Sequence, residues 1–244
     1  MQGWHIDMMN RVKMGVKFGN KHSYNDLGLI LATKSIGFPE VKTRYVSIPG
    51  RDGDIDESEL LTGRPNYGNR EINITFILLN DPYEDWARVM SDLATLLHGQ
   101  KMDIIFDDDP TYYYIGRCTL DPIESNKKAG RIKIKISAEP YKYPVAGSEE
   151  PWLWDPFDFL YGVINESNDI EVDGIQVVTF DTFDKPETLT VTSSAAMEMD
   201  YEGRTYQIYE GKNILYSVIL NKGTHHLTFR GHGVVTINWV GGKF

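Results

Sequence analysis

The chain has 244 residues, 41% of them hydrophobic and 25% charged, the balance of an ordinary soluble protein with room for one large domain or two smaller ones. No run of about eighteen apolar residues occurs, so no membrane-spanning helix is expected, and the opening MQGWHIDMMNRVKMG lacks a continuous apolar core of signal-peptide length. Cys118 is the single cysteine, which excludes an internal disulfide framework and suits a protein made in the cytoplasm.

The net charge of −10 is unevenly spread. Residues 1–145 carry 19 Lys/Arg against 20 Asp/Glu, whereas residues 146–244 carry 6 against 15. An acidic second half is a poor match for nucleic acid, because neutralising phosphates takes clustered Lys and Arg. The asymmetry also suggests two units with different surfaces.

In chain order, residues 1–13 read as a lead-in and residues 14–18 (MGVKF) as a first strand before the Gly19-Asn20 turn. Residues 27–33 (LGLILAT) are long enough for a buried strand and too short for a stable helix. Residues 41–48 alternate and then enter a polar stretch between Ile48 and Arg70 with four glycines and two prolines. So long an irregular excursion is uncommon in a compact domain unless it has a task, and it reads as an arm over residues 48–70. Strand character returns at residues 71–77, with Ile72, Ile74 and Phe76 on one face.

One helix is expected over residues 82–98. Asp81 suits the N-cap, Pro82 the first helical position and Glu84 the capping box. Trp86, Val89, Met90, Leu93, Leu96 and Leu97 form an apolar stripe, and Gly99 follows as the C′ residue. Strands are expected at 102–106, 111–120 and 131–138, the last with isoleucine inward and Arg131, Lys133 and Lys135 outward. Three prolines in YKYPVAGSEEPWLWDP mark a domain boundary near residues 144–145. Short strands follow at 176–180, 188–192, 204–209, 214–220, 226–229 and 234–240, the spacing of an antiparallel sandwich or jelly roll.

The sequence has no GxSxG elbow, HExxH, phosphate loop or CxxC, so no catalytic residue, cofactor or metal ligand is assigned. Cys118 follows Arg117 but lies in strand-like sequence and reads as a buried structural residue. Asp52-Gly53-Asp54-Ile55-Asp56 resembles the start of an EF-hand loop. It has Glu57 where that loop needs glycine and Gly63 where it needs glutamate, so a solvated turn is the better account. His225 and His226 are adjacent on a strand and point to opposite faces, a poor pair for one metal. Trp152, Trp154 and Tyr161 either form a sugar-stacking platform or pack into a seam or core.

The wording of the arm carries a family resemblance. Val46-Ser47-Ile48-Pro49-Gly50-Arg51-Asp52-Gly53, then Leu61-Thr62-Gly63, Tyr67 and Asn69-Arg70 leading into residues 72–76, resembles the distal tail proteins of siphophages. Phe18-Gly19-Asn20 with His22-Ser23 and Leu27-Gly28 resembles the opening of that family. Residues 220–231 with Gly233, running into 235–239, are similar to its end more loosely. Residues 1–13 are outside the pattern.

The resemblance implies a mostly β protein with one helix. Residues 14–144 would be a β-sandwich-like, ring-forming domain with an extended β-hairpin arm, and residues 145–244 a galectin-like or jelly-roll sandwich. It implies a structural, non-enzymatic protein of the virion. A hexameric ring would sit at the distal end of the tail, joining the major tail tube protein to the tail-associated tip protein. Receptor-binding proteins could dock on its second domain, and neither sequence-specific nucleic acid nor membrane insertion is involved. Arg51, Asp52, Leu60, Leu61, Arg64, Tyr67 and Arg70 are then the expected subunit-contact residues of the arm. The alternatives are a carbohydrate-binding adhesin using Trp152, Trp154 and Tyr161, and a cell-wall hydrolase, for which no residue pair stands out.

Overall fold

The computed structural model describes residues 14–78, 86–122, 124–125, 130–145, 168–239 and 241–244. The chain divides into two compact units, residues 1–142 and 143–244. The lead-in at 1–13, the expected helix start at Asp81-Pro82, and Trp152, Trp154 and Tyr161 lie outside the described residues.

The first unit is built from β1 (Val16–Phe18), β2 (Lys21–His22), β3 (Ile30–Ile36), the arm strands β4 (Val41–Lys42), β5 (Tyr45–Val46), β6 (Ile55–Asp56) and β7 (Asn66–Tyr67), then β8 (Arg70–Leu78), α1 (Trp86–Leu97), β9 (Lys101–Phe106), β10 (Asp109–Leu120), β11 (Glu124–Ser125) and β12 (Gly130–Pro144), whose last two residues fall in the second unit. Eight strands form one sheet in the order β2-β1-β9-β10-β12-β8-β3, with β11 paired to β12. Strict alternation in β8 and β12 drives this. Ile72, Ile74, Phe76 and Leu78 face inward opposite Ile132, Ile134 and Ile136, while Asn73, Thr75, Arg131, Lys133 and Lys135 take the other face. The sheet curls, so Lys34 on β3 reaches Asp108 in the β9–β10 turn.

The helix closes this core with Trp86, Leu93 and Leu97 buried and Val89, Met90 and Leu96 packed beside them. It stops at Gly99, whose φ of 76° no side chain adopts cheaply. The Gly99 N–H donates to the Cys118 carbonyl at 2.8 Å, and the Cys118 N–H to Gln100 at 3.0 Å, which ties the helix end to β10. Cys118 is fully buried and burial pushes its thiol up to about 11, so it is a packing residue.

Two expected strands differ from what forms. The run at 27–33 begins its strand only at Ile30, because Gly28 turns left-handed at φ 66° and Leu29 drops into the core. The strand it makes is an edge strand, half exposed rather than buried. The run at 41–48 splits into β4 and β5, each two residues long and each paired with a different returning segment.

The second unit comprises β13 (Ile170–Thr182), β14 (Glu187–Ser193), β15 (Met197–Tyr201), β16 (Arg204–Ile208), β17 (Gly211–Leu220) and β18 (Gly223–Asn238). They form a six-stranded antiparallel sheet in the order β16-β15-β18-β14-β17, with β13 on the other edge of β18. Its core gathers Val191, Met199, Leu227, Phe229, Val235 and Ile237. The two strands expected at 226–229 and 234–240 are one 16-residue strand. Gly231 and Gly233, at φ 148° and 146°, carry it past Met197 and Ser194, where a Cβ on Gly231 would lie 2.7 Å from Met197 Cβ. The residues that looked like a loop are a close approach of two strands. β15 went unseen because Met-Glu-Met-Asp-Tyr has weak strand propensity, although Met197, Met199 and Tyr201 all point inward.

His225 and His226 do face opposite ways. His226 is exposed and meets Thr179 Oγ1 at 2.9 Å. His225 is buried against Phe180, with Nδ1 2.8 Å from the Tyr201 hydroxyl and Nε2 2.7 Å from the Asn221 carbonyl. A single proton on Nε2 satisfies both contacts, with Tyr201 donating to Nδ1.

Candidate assembly arm

Residues 41–67 leave the first sheet beside β8 and return to it as a hairpin of two paired storeys, with a distal loop and a turn on the return leg. At the root, Val41 pairs with Tyr67 and Lys42 with Asn66. Gly37 N–H donates to the Glu71 carbonyl at 2.9 Å and Gly68 N–H to Glu40 at 2.8 Å, joining the hairpin to β8. Tyr67 stands edge-on to Tyr141 with ring centres 6.2 Å apart, and Asn69 donates to Ser137 Oγ at 3.0 Å. Arg70 is only 3% exposed. Its Nε donates to the Pro140 carbonyl at 3.0 Å and its guanidinium lies 5.3 Å from the centre of the Tyr114 ring. Burial lowers its pKa from the usual arginine value, with Tyr114 opposing the shift.

In the second storey Tyr45 pairs with Asp56 and Val46 with Ile55. Glu57 N–H donates to Arg44 O and Arg44 N–H to Ser58 Oγ, both at 2.8 Å, while Arg44 Nε meets Glu57 Oε2 at 3.3 Å. Asp56 accepts from Ser58 N–H at 2.9 Å, and the bonds from the Ser58 side chain and backbone hold its carboxyl below the usual range. Between β5 and β6 the loop turns through Gly50 and Gly53 at φ 81° and 74°, which leaves Arg51, Asp52 and Asp54 exposed.

On the return leg, between β6 and β7, residues 57–63 form a turn of their own. Leu60 N–H donates to Glu57 O at 3.2 Å and Gly63 N–H to Glu59 O at 2.7 Å, with Gly63 in the left-handed region. Thr62 Oγ1 donates to Arg64 O and Asn66 Nδ2 to Thr62 Oγ1, both at 2.8 Å. Leu60 is 74% and Leu61 92% exposed on this turn. Two adjacent leucines in water on a hydrogen-bonded turn form a preorganised apolar knob. Covering each would contribute about 1.5–3 kcal/mol.

The seven arm residues singled out in the sequence are therefore not one set. Arg51, Asp52, Leu60 and Leu61 are exposed, and Arg64 is half-buried. Tyr67 and Arg70 belong to the root. The expectation that Arg70 reaches another subunit is corrected by its burial, since its donors are used on Pro140 of its own unit. Sequence reasoning did not single out Phe38, 86% exposed between Gly37 and Pro39, or Tyr45, 59% exposed on the arm. Phe38 sits in no periodic pattern, and Tyr45 belongs to the alternating run 41–48, which marks it as a strand residue and not as a contact. Among the described residues, no group of three His, Cys, Asp or Glu side chains is placed to hold a metal ion.

Residues 17–137, which include the whole arm, match the phage tail protein RIFT-related domain family. Residues 17–137 belong to that phage tail family, and the chain has the fold of a distal tail protein. Its backbone resembles the crystal structure of SPP1 Dit (gp 19.1), a paradigm of the hub adsorption apparatus in phages infecting Gram-positive hosts, with a TM-score of 0.55 over 92% of this chain and 97% of that one. Identity is 15%, so this likeness speaks for fold. Among curated proteins no sequence matches this tail protein.

Proposed function

We propose that this tail protein is a non-enzymatic ring subunit at the distal end of the tail tube. Six copies would close head to tail and form a hub between the tube protein and the tail-associated tip protein. The observation that carries this is the leucine knob. A monomer gains nothing from holding Leu60 and Leu61 in water on a turn fixed by its own hydrogen bonds, whereas a neighbouring copy that covers them adds apolar contact at each junction. The second unit, with its acidic surface, is left to face outward partners such as receptor-binding proteins. An adhesin would rest on Trp152, Trp154 and Tyr161, outside the described residues, and the tail-domain match does not favour it.

The test is a loop replacement. Because Lys42 pairs directly with Asn66, residues 43–65 can be exchanged for an Asn-Gly turn that keeps the root hairpin. Light scattering and negative-stain images should show a six-fold ring for the parent and a folded monomer for the variant. A parent that stays monomeric at every concentration, or a variant that still forms rings, overturns the proposal.

A further inference from the structure

We propose that the leucine turn of one copy packs on the root of the outgoing leg of the next, Leu60 and Leu61 against Phe38 and Val41, with Glu59 beside Lys42. This rests on the ring proposed above and names the surface that receives the leucines within it.

Exposure points to this surface. Among the described residues of the first unit, the exposed large hydrophobic side chains are Met14 and six on or beside the arm: Phe38, Val41, Tyr45, Ile48, Leu60 and Leu61. The first four of these six lie along the outgoing leg, so the leucines and their apolar complement are carried by the same hairpin. Phe38 is 86% exposed although its neighbours are fixed, with Pro39 buried and Gly37 bonded to the Glu71 carbonyl. Val41, 47% exposed, is held by its pairing with Tyr67. An apolar patch on so well tied a backbone is preorganised, as the leucines are.

Charge agrees. Residues 38–51 carry Lys42, Arg44 and Arg51 against Glu40, whereas residues 52–63 carry Asp52, Asp54, Asp56, Glu57 and Glu59 with no Lys or Arg. Arg44 and Glu57 already meet across the hairpin. Lys42, Arg51, Asp52, Asp54 and Glu59 are exposed and form no ion pair among the described residues. Lys42 follows the exposed Val41 and Glu59 precedes the exposed Leu60, so each surface sets a charge of opposite sign beside its apolar pair. The second unit also exposes apolar side chains, among them Ile175, Val177 and Tyr216. Residues 146–244 carry 15 acidic against 6 basic side chains, however, and would repel the carboxylates of the return leg. Packing one leucine turn on another would likewise set Glu59 against Glu59. Donor and acceptor are different surfaces of one chain, so the contact runs head to tail, the kind that closes into a ring.

Full-length variants test the assignment. Phe38→Ser/Val41→Ser should raise the concentration at which rings form about tenfold and leave the denaturation midpoint of the dissociated protein unchanged. Lys42→Glu and Glu59→Lys should each raise that concentration about threefold, and the two together should recover most of the loss. That recovery separates docking from misfolding. The Asn-Gly arm variant keeps Phe38, Val41 and Lys42 but lacks the leucine turn. Mixed with the parent it should cap open chain ends and suppress rings, and adding Phe38→Ser/Val41→Ser to it should abolish the suppression. Rings that form unchanged with the two serines, a charge swap without recovery, or an arm variant whose effect on the parent is the same with and without the serines overturns this acceptor and leaves the ring standing. A parent that forms no rings removes both.

Discussion

The root of the arm and the leucine turn on its return leg belong to one hairpin, yet they solve opposite problems. At the root three side chains are spent inside their own unit: Arg70 on Pro140 and Tyr114, Tyr67 on Tyr141, Asn69 on Ser137. At the turn the backbone is also hydrogen-bonded, but Leu60 and Leu61 point into water. Order at the root comes with burial, and order at the turn comes from local hydrogen bonds. A device that must be rigid before it meets its partner is built this way, because ordering it beforehand removes an entropic cost from binding.

The comparison predicts that mutations at the two ends separate assembly from stability. Leu60→Ser/Leu61→Ser should produce the largest effect, weakening each subunit junction by roughly 3–6 kcal/mol, the transfer value of two leucine side chains. On dilution in mass photometry the rings should vanish, while the midpoint of chemical denaturation stays where it was. A leucine variant that lowers that midpoint instead would mean the leucines pack within the monomer.

Arg70→Leu should do the reverse. It removes the donors to the half-buried Pro140 carbonyl and the cation beside Tyr114, which costs about 2–4 kcal/mol of the first unit's stability. Urea unfolding of the monomeric Asn-Gly arm variant, with and without Arg70→Leu, would measure this without interference from assembly. No loss would show that the root is not anchored by Arg70.

How far the sequence disclosed this depended on which forces were periodic. The isoleucines of β8 and β12 and the apolar stripe of α1 were legible because burial on one face imposes a period of two or of three to four. The storeys of the arm were not. β4 to β7 are two residues each, held by backbone bonds and by Ser58, Thr62 and Asn66 side chains, and such pairing leaves no hydrophobic rhythm. Arg70 misled for the same reason. An arginine after Gly-Asn looks like surface, and only the Pro140 carbonyl, 70 residues away, shows that it is core. In the second unit Gly231 and Gly233 looked like a break because glycine usually is one, whereas here it lets β18 pass β15.

Ser58 opens the leucine turn, accepting from Arg44 N–H and holding Asp56. Ser58→Ala should leave global stability within about 0.5 kcal/mol, as for an exposed site, but loosen the turn that carries the leucines. Hydrogen exchange at the Leu60 and Gly63 amides should then quicken, and the assembly concentration should rise about threefold.

The smallest effect is a titration. Asp56 has a folded pKa below its usual value of 3.8, chiefly through the Ser58 side-chain bond and then the Ser58 N–H. A depressed carboxyl favours the native turn above the unfolded pKa, and that preference is lost as pH falls through the lower, folded value. The Asp56 carboxyl resonance should therefore titrate below 3.8 in the parent and move up towards it in Ser58→Ala, stopping short because the backbone donor remains. Equal midpoints in the two proteins would show that Ser58 does not brace the arm in solution. The preorganisation of the leucine turn would then have to come from its backbone bonds with Thr62 and Asn66.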